Sequence, residues 1–380
     1  MNRIYLDNNA TTAIHPDVLR VLDESFRSVF GNASSIHREG QTARRVIEEA
    51  RESVARLIGA AARDVVFTSG GTESNNAAIF GAVAHEGRHH IVTTAIEHPS
   101  VAEAVTELER RGHRVTRVAP PRSGEVSAES VIESIKPETR LVAMMLANNE
   151  TGVIQPVAAV GSYCRERNIH FHVDAVQAAG KIDIDVVALG CDTLSLSAHK
   201  LHAPKGIGAL FVRRGVVLAP YIVGGAQERR RRAGTENVPL AAAFGVAAAL
   251  AGAPAGREAM ASLRDRLEGS IAESFSVTVN GAPSPRLPNT ANVTFHGVDG
   301  EGLVIALDLN GVAVSTGSAC SSGRVEPSGV LLAMGLSPEE AKSTLRFSLS
   351  RLTTPEEVDR TVDLLRQVVP RCIKTVSPTV

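Results

Sequence analysis

Between residues 16 and 214, short apolar runs of strand character alternate with stretches of helical period, and few architectures accept that order. Val46, Ile47, Ala50, Val54, Leu57 and Ile58 form one apolar stripe at helical spacing, and Gly59 ends it. Residues 65–67 read as a buried strand and 75–83 as the helix after it. Further strands are expected at 91–94, 115–118, 141–146, 169–173 and 194–196, with helices at 101–111 and 157–167 between several of them. This alternation predicts an α/β fold with a mostly parallel sheet covered by helices on both faces. The last pair breaks the rule. Leu196 and Ala209 are joined through a Pro204-Lys205-Gly206 turn, too short for the crossover of roughly a dozen residues that a parallel pair needs, so this pair is antiparallel.

Beyond Pro254 the texture changes. A helix at 257–274 precedes strands at 277–279, 292–295, 312–314 and 345–349, with a helix at 301–309. Thr354-Pro355-Glu356-Glu357 then opens the final helix with an N-cap, a first-turn proline and a capping-box glutamate. At 380 residues the chain exceeds the usual size of one domain. The expected division is a large domain over 15–255 and a smaller α+β domain of 256–380, with 1–14 packed back on it.

The formal net charge of −1 supplies no whole-chain field for nucleic acid or an anionic membrane, and neither is an expected partner. The longest apolar stretch, 238–253, is Ala-rich and short of the ~20 strongly apolar residues of a membrane span, so it reads as a buried helix. The opening residues show no signal-peptide pattern. Cys164, Cys191, Cys320 and Cys372 lie far apart, as in a protein of the reducing cytoplasm. The charged run 228–232 and the pair His89-His90 read as solvated loop positions. His170 and His172 share one face of a strand but lack partners at metal-ligand spacing.

Three segments at strand ends carry the chemistry. Thr68-Ser69-Gly70-Gly71-Thr72-Glu73 joins a strand to a helix, where glycines let the backbone approach a ligand and free N–H groups face an anion. Taken alone, it is equally a structural turn. Asp174 closes the strand in Phe171-His172-Val173-Asp174 just before Gln177, at the carboxyl edge where α/β sheets bind ligands. A carboxylate there would hold a positive charge on a heterocycle, or cap a helix. Ser195-Leu196-Ser197-Ala198-His199-Lys200 places a lysine at another strand end, where desolvation would favour the free amine that an imine needs.

In that order on alternating elements, the three segments resemble the fold-type I pyridoxal 5'-phosphate (PLP) enzymes. Further motifs narrow the resemblance: residues 5–12, Glu97-His98-Pro99, 148–152, 225–229, 234–237, 287–292, Gly317-Ser318-Ala319-Cys320 and 346–351. Together they resemble the cysteine desulfurase family in its NifS/IscS-like branch over nearly the whole chain. Residues 199–206 and 231–237 look most like the nitrogen-fixation type. The resemblance implies that Lys200 binds PLP covalently and later moves the Cα proton. It implies that Asp174 protonates the pyridine nitrogen, that Gln177 meets the ring hydroxyl, and that His98 stacks on the ring and shuttles protons. Asn149 would touch cofactor or substrate. Gly71, Thr72, Ser197 and His199 would hold the phosphate, with Thr235 reaching in from the second subunit of a homodimer. Arg346 would hold the substrate carboxylate, which suits a planar bidentate donor.

Cys320 stands in a run of small polar residues with no apolar wall, unlike the buried, inert thiols expected at Cys164 and Cys191. By the same resemblance it takes sulfur from L-cysteine as a persulfide, leaves L-alanine, and passes the sulfur to an iron–sulfur scaffold or another acceptor protein. There it is also a candidate shared ligand to a nascent cluster. The competing readings are a selenocysteine lyase or aminotransferase on the same scaffold, or an idle sulfur-transfer scaffold. A transaminase needs no loop thiol, and an idle relative would be expected to lack Lys200, Asp174 or Cys320. All three are present.

Overall fold

A computed structural model describes residues 3–84, 87–253, 255–316 and 326–373. Cys320 lies outside the described residues. The first half runs β1 (Ile4–Tyr5), α1 (Pro16–Ser28), α2 (Arg38–Leu57), β2 (Val65–Thr68), α3 (Gly71–Ala82), β3 (His90–Thr94), α4 (Pro99–Arg110) and β4 (Arg114–Val118). It continues with α5 (Ala128–Glu133), β5 (Thr139–Met145), α6 (Val157–Glu166), β6 (His170–Asp174), β7 (Thr193–Ser197), β8 (Gly208–Val212) and α7 (Val238–Ala251). Seven strands form one sheet in the order β2-β8-β7-β6-β5-β3-β4. Every neighbour is parallel except β8, which runs antiparallel to both β2 and β7 and pairs Ala209 with Leu196. β2, β3, β7 and β8 are buried along their whole length, as helices on both faces require. The edge strand β4 instead exposes Arg114 and Arg117.

The remainder runs α8 (Ala255–Ser274), β9 (Val277–Val279), β10 (Thr290–Phe295), α9 (Gly300–Leu309), β11 (Val312–Ala313), α10 (Gly329–Ala333), α11 (Pro338–Lys342), β12 (Thr344–Ser348) and α12 (Pro355–Val368). β12, β10 and β9 form an antiparallel sheet, and β1 pairs in parallel with β11. The capping box predicted at Thr354 and Glu357 is present.

One core gathers Val54, Ile58, Phe171, Leu194 and Phe244, and a separate one gathers Leu6, Leu267, Phe295, Leu307, Phe347 and Leu365. We propose the domains 15–255, and 1–14 with 256–380, on the ground of these two cores. Leu287, Val330, Leu331, Met334 and Leu336 pack on the first core from beyond that boundary. No single helix among the described residues is long and apolar enough to cross a membrane, and α7 is largely buried.

Two surface readings need correction. Glu228 is buried and ion-paired with Arg51, Arg Nη1 to Oε2 at 2.6 Å and Nη2 to Oε1 at 2.9 Å. Glu228, Arg229 and Arg230 have φ of 44°, 57° and 64°, so the run opens on a tight left-handed turn whose Glu228 is pinned to β2 while Arg229 and Arg230 stay exposed. His90 is fully buried between the hydroxyls of Thr139 and Thr116. Its place on β3, one strand in from the edge, puts it inside.

Candidate active site

Because β2 is antiparallel to β8, which is itself antiparallel to β7, the carboxyl ends of β2, β3, β5, β6 and β7 share one edge of the sheet. That edge is where open α/β sheets bind ligands. After β2 the chain turns at Gly70, which caps α3 with no side chain, so the first-turn N–H groups stay open to an anion. Gly71 favours glycine: a Cβ there would sit 2.8 Å from Val176 Cγ2, so that side chain would have to shift.

After β3, His98 caps α4. Its Nδ1 accepts the Ser100 N–H at 3.1 Å, which leaves the ring proton on Nε2. Burial lowers the His98 pKa, Asp174 opposes this and Lys200 adds to it, so the ring is neutral near pH 7. Glu97 beside it accepts from Thr94 Oγ1 at 2.5 Å and from the Met145 N–H at 3.0 Å. Burial pushes its carboxyl up to about 8.

Asp174 ends β6. Asn75 Nδ2 donates to its Oδ2 at 2.7 Å, and the Val176 N–H donates to its Oδ1 at 3.0 Å. Asn75 also donates to Ser100 Oγ, and its Oδ1 faces His172 Nε2 at 2.9 Å. The other His172 nitrogen meets Thr193, as does His170, and burial drives these histidines to about 3 and about 4. Both are neutral, and His172 backs Asp174 through Asn75. Among the described residues no cluster of side chains could hold a metal ion.

Lys200 follows β7 through a single helical turn, Ala198–Lys200. Its amine donates to the carbonyl oxygens of Asn9 and, at 2.8 Å, Ala10, and it makes no ion pair among the described residues. Burial, then Arg346, pull its pKa down to about 8 against Asp7 and Asp174. His199 is held at about 4, chiefly by burial and then by Lys200, so it too is neutral.

Gly71, Thr72, His98, Asn149, Asp174, Gln177, Ser197, His199 and Lys200 line one cavity of about 200 Å³. Arg346 stands beside it, donating to Asp7 Oδ1 at 2.7 Å and to the Asn149 carbonyl at 3.0 Å. Thr235 is exposed and is not part of the cavity wall.

The Aminotransferase class-V family profile matches residues 4–361. A relative from Nostoc sp. named "Cysteine desulfurase" is 44% identical, covering 100% of this chain and 95% of its own. "Cysteine desulfurase IscS" of Methanosarcina thermophila is 42% identical over 99% of this chain and 94% of its own. The chain belongs to the cysteine desulfurases. Among solved structures, a "NifS-like protein" superposes with TM-score 0.90 at 35% identity, covering 97% of this chain and 100% of that one. "SspA in complex with cysteine" superposes with TM-score 0.83 at 38% identity, covering 92% and 100%.

Enzymes of this family depend on PLP and have the fold-type I architecture, and the residues present fit that cofactor. The open start of α3 beside Thr72, Ser197 and neutral His199 suits a phosphate. A carboxylate with both oxygens already oriented suits a protonated ring nitrogen. The buried Asn149 Oδ1 has no hydrogen-bond partner among the described residues, as a group awaiting a ligand would.

Sequence reading missed Asn75, Ser100, Asn9 and Lys181. Asn75 lies one turn after Gly71, a polar residue on the buried face of α3, and that was its only signal.

Proposed function

We propose that this chain is a PLP-dependent cysteine desulfurase that converts L-cysteine to L-alanine and holds the sulfur as a persulfide on Cys320. The observation that carries the reading is the convergence of Lys200, Asp174 and His98 on one cavity at the carboxyl edge of the sheet. The names of its relatives and the cysteine-bound SspA structure support it.

PLP, when bound, supplies an electron sink for the pair left at the substrate's α-carbon. The protein supplies position and protons. Lys200, with a pKa of about 8, keeps part of its amine free near neutral pH, the form that meets an aldehyde and takes up the Cα proton. Asp174, fixed by Asn75 and the Val176 N–H, holds the proton on the ring nitrogen. His98, on the cavity wall, would stack on the ring and would offer its Nε2 proton. Gln177 meets the ring hydroxyl. Gly71, Thr72, Ser197 and His199 hold the phosphate, and exposed Thr235 completes the phosphate site of the partner in a homodimer. Arg346 and Asn149 hold the substrate carboxylate, with Asp7 orienting the guanidinium.

The Cys320 thiolate attacks the substrate sulfur and the carbon–sulfur bond breaks. Its electron pair stays with carbon, a proton joins, and alanine leaves. The persulfide goes to an iron–sulfur scaffold or another acceptor protein in the cytoplasm, where Cys320 is a shared cluster ligand at handover.

The test is to supply L-cysteine and measure alanine together with protein-bound sulfane sulfur. Cys320→Ser is expected to keep the cofactor's absorbance and lose turnover. Undiminished sulfide release from that variant would refute the role of Cys320. Lys200→Ala is expected to lose both the yellow colour and alanine formation.

A further inference from the structure

A second lysine lies behind the cavity. Lys181 is 8% exposed, its Nζ is 3.0 Å from Gln177 Oε1 and 3.3 Å from Asn9 Oδ1, and no carboxylate pairs with it among the described residues. A buried amine without a counter-ion is costly, and an apolar side chain of the same length would avoid that cost. Burial, then Lys200 and Arg346, bring its pKa down to about 7. Charged or neutral, it retains enough N–H groups for both contacts.

The two contacts fix two amides. As the ammonium, lysine only donates, so in that form it selects the oxygen end of each. With Oε1 held by Lys181, Gln177 turns Nε2 to the Asn9 carbonyl at 2.9 Å, the same carbonyl that receives the Lys200 amine. Nε2 makes that one hydrogen bond among the described residues, so its second hydrogen is free for a group in the cavity that Gln177 lines. Asn9 is set likewise. Its Oδ1 accepts from Lys181 and from Asn289 Nδ2 at 3.0 Å, which sends Nδ2 to the Asn149 carbonyl at 3.1 Å and Thr290 Oγ1 at 2.9 Å. One buried amine thus decides that the cavity meets a donor at Gln177, and it ties the resting place of Lys200 to Asn149.

We infer that Lys181 is a positioning residue for the cofactor: it locks Gln177 with its N–H toward the ring hydroxyl and holds Asn9 as the carbonyl rest for Lys200. The inference stands on the reading of Gln177 as a cofactor contact. Its test is a double-mutant cycle on PLP affinity. The full chain is freed of cofactor and titrated back with PLP, following absorbance, for wild type, Lys181→Met, Gln177→Ala and the double variant.

Gln177→Ala and Lys181→Met are each expected to weaken PLP binding roughly 10-fold, the scale of one charge-assisted hydrogen bond. Lys181→Met should cost less in the Gln177→Ala background than in wild type, the remainder being the share that runs through Asn9. Lys181→Met should melt no lower than wild type, which separates lost positioning from unfolding. Should it melt lower, Lys181→Leu takes its place in the cycle. Lys181→Gln, neutral and able to donate, is expected to regain affinity. Wild-type affinity in Lys181→Met, or equal losses in the Gln177 and Gln177→Ala backgrounds, overturns the inference. Wild-type affinity in Gln177→Ala instead removes the cofactor contact beneath it.

Discussion

An amine adds to an aldehyde only when it is unprotonated, so the burial of Lys200 sets how the chain responds to pH. Its pKa of about 8 gives the sign: capture of PLP by the cofactor-free chain should speed up as pH rises and level off above about 8. An unburied lysine would still be gaining reactivity near pH ~10. Arg346 is the second cause of the low value, so Arg346→Met should move the midpoint upward, and stopped-flow absorbance across pH 6–10 reads both outcomes. Asp174 carries the companion prediction. Asn75→Leu removes the donor to Oδ2, and PLP affinity in equilibrium titration should fall about 10-fold. Lys200 and Asp174 were legible because each is an unusual residue at a strand end. Asn75 was not, since its meaning depends on a carboxylate 99 positions away, across the sheet.

At the scale of elements, legibility followed length and punctuation. The strands of the large sheet begin and end within two residues of the positions their apolar runs indicate, and β8 is antiparallel as its short turn requires. α3 starts at Gly71, four residues before its apolar periodicity does, because the strand's exit geometry favours glycine there over better helix formers. α5 and α10, of 6 and 5 residues, are too short to show a stripe. The run after residue 227 was misread for a different reason. Its arginines look solvated, but Glu228 turns inward to Arg51 and also accepts the Phe67 N–H at 3.0 Å on β2. Glu228→Gln leaves the Arg51 cation buried against only the half-exposed Glu48, and should cost about 3 kcal/mol in urea unfolding. Arg229→Gln, on an exposed side chain, should cost less than about 1 kcal/mol.

For the molecule as a whole, the N-terminal segment joins two cores. β1 and the Asp7–Ser348 bridge sit with the second, while Thr12 and His15 donate their N–H groups to the carbonyls of His199 and His202 in the first. The sequence suggested that 1–14 folds back but not that it threads past Lys200, because contacts so distant along the chain leave no periodic trace. Stability of the whole also depends on neutral acids and bases inside. Glu97 has its pKa raised to about 8 by burial, against an ordinary 4.5. A raised folded pKa means that the native state holds a proton the unfolded chain releases, so this contribution is complete below pH 4.5 and is lost as pH rises toward 8. Glu97→Gln keeps an acceptor for Thr94 and the Met145 N–H but never ionises. Its stability relative to wild type should therefore increase steadily from pH 4.5 to about 8 and then stay level. Urea unfolding of both proteins at intervals across that range measures the difference directly. A difference that does not change with pH would mean that Glu97 titrates normally, and that the low-dielectric interior beside Asp174 does not control its proton.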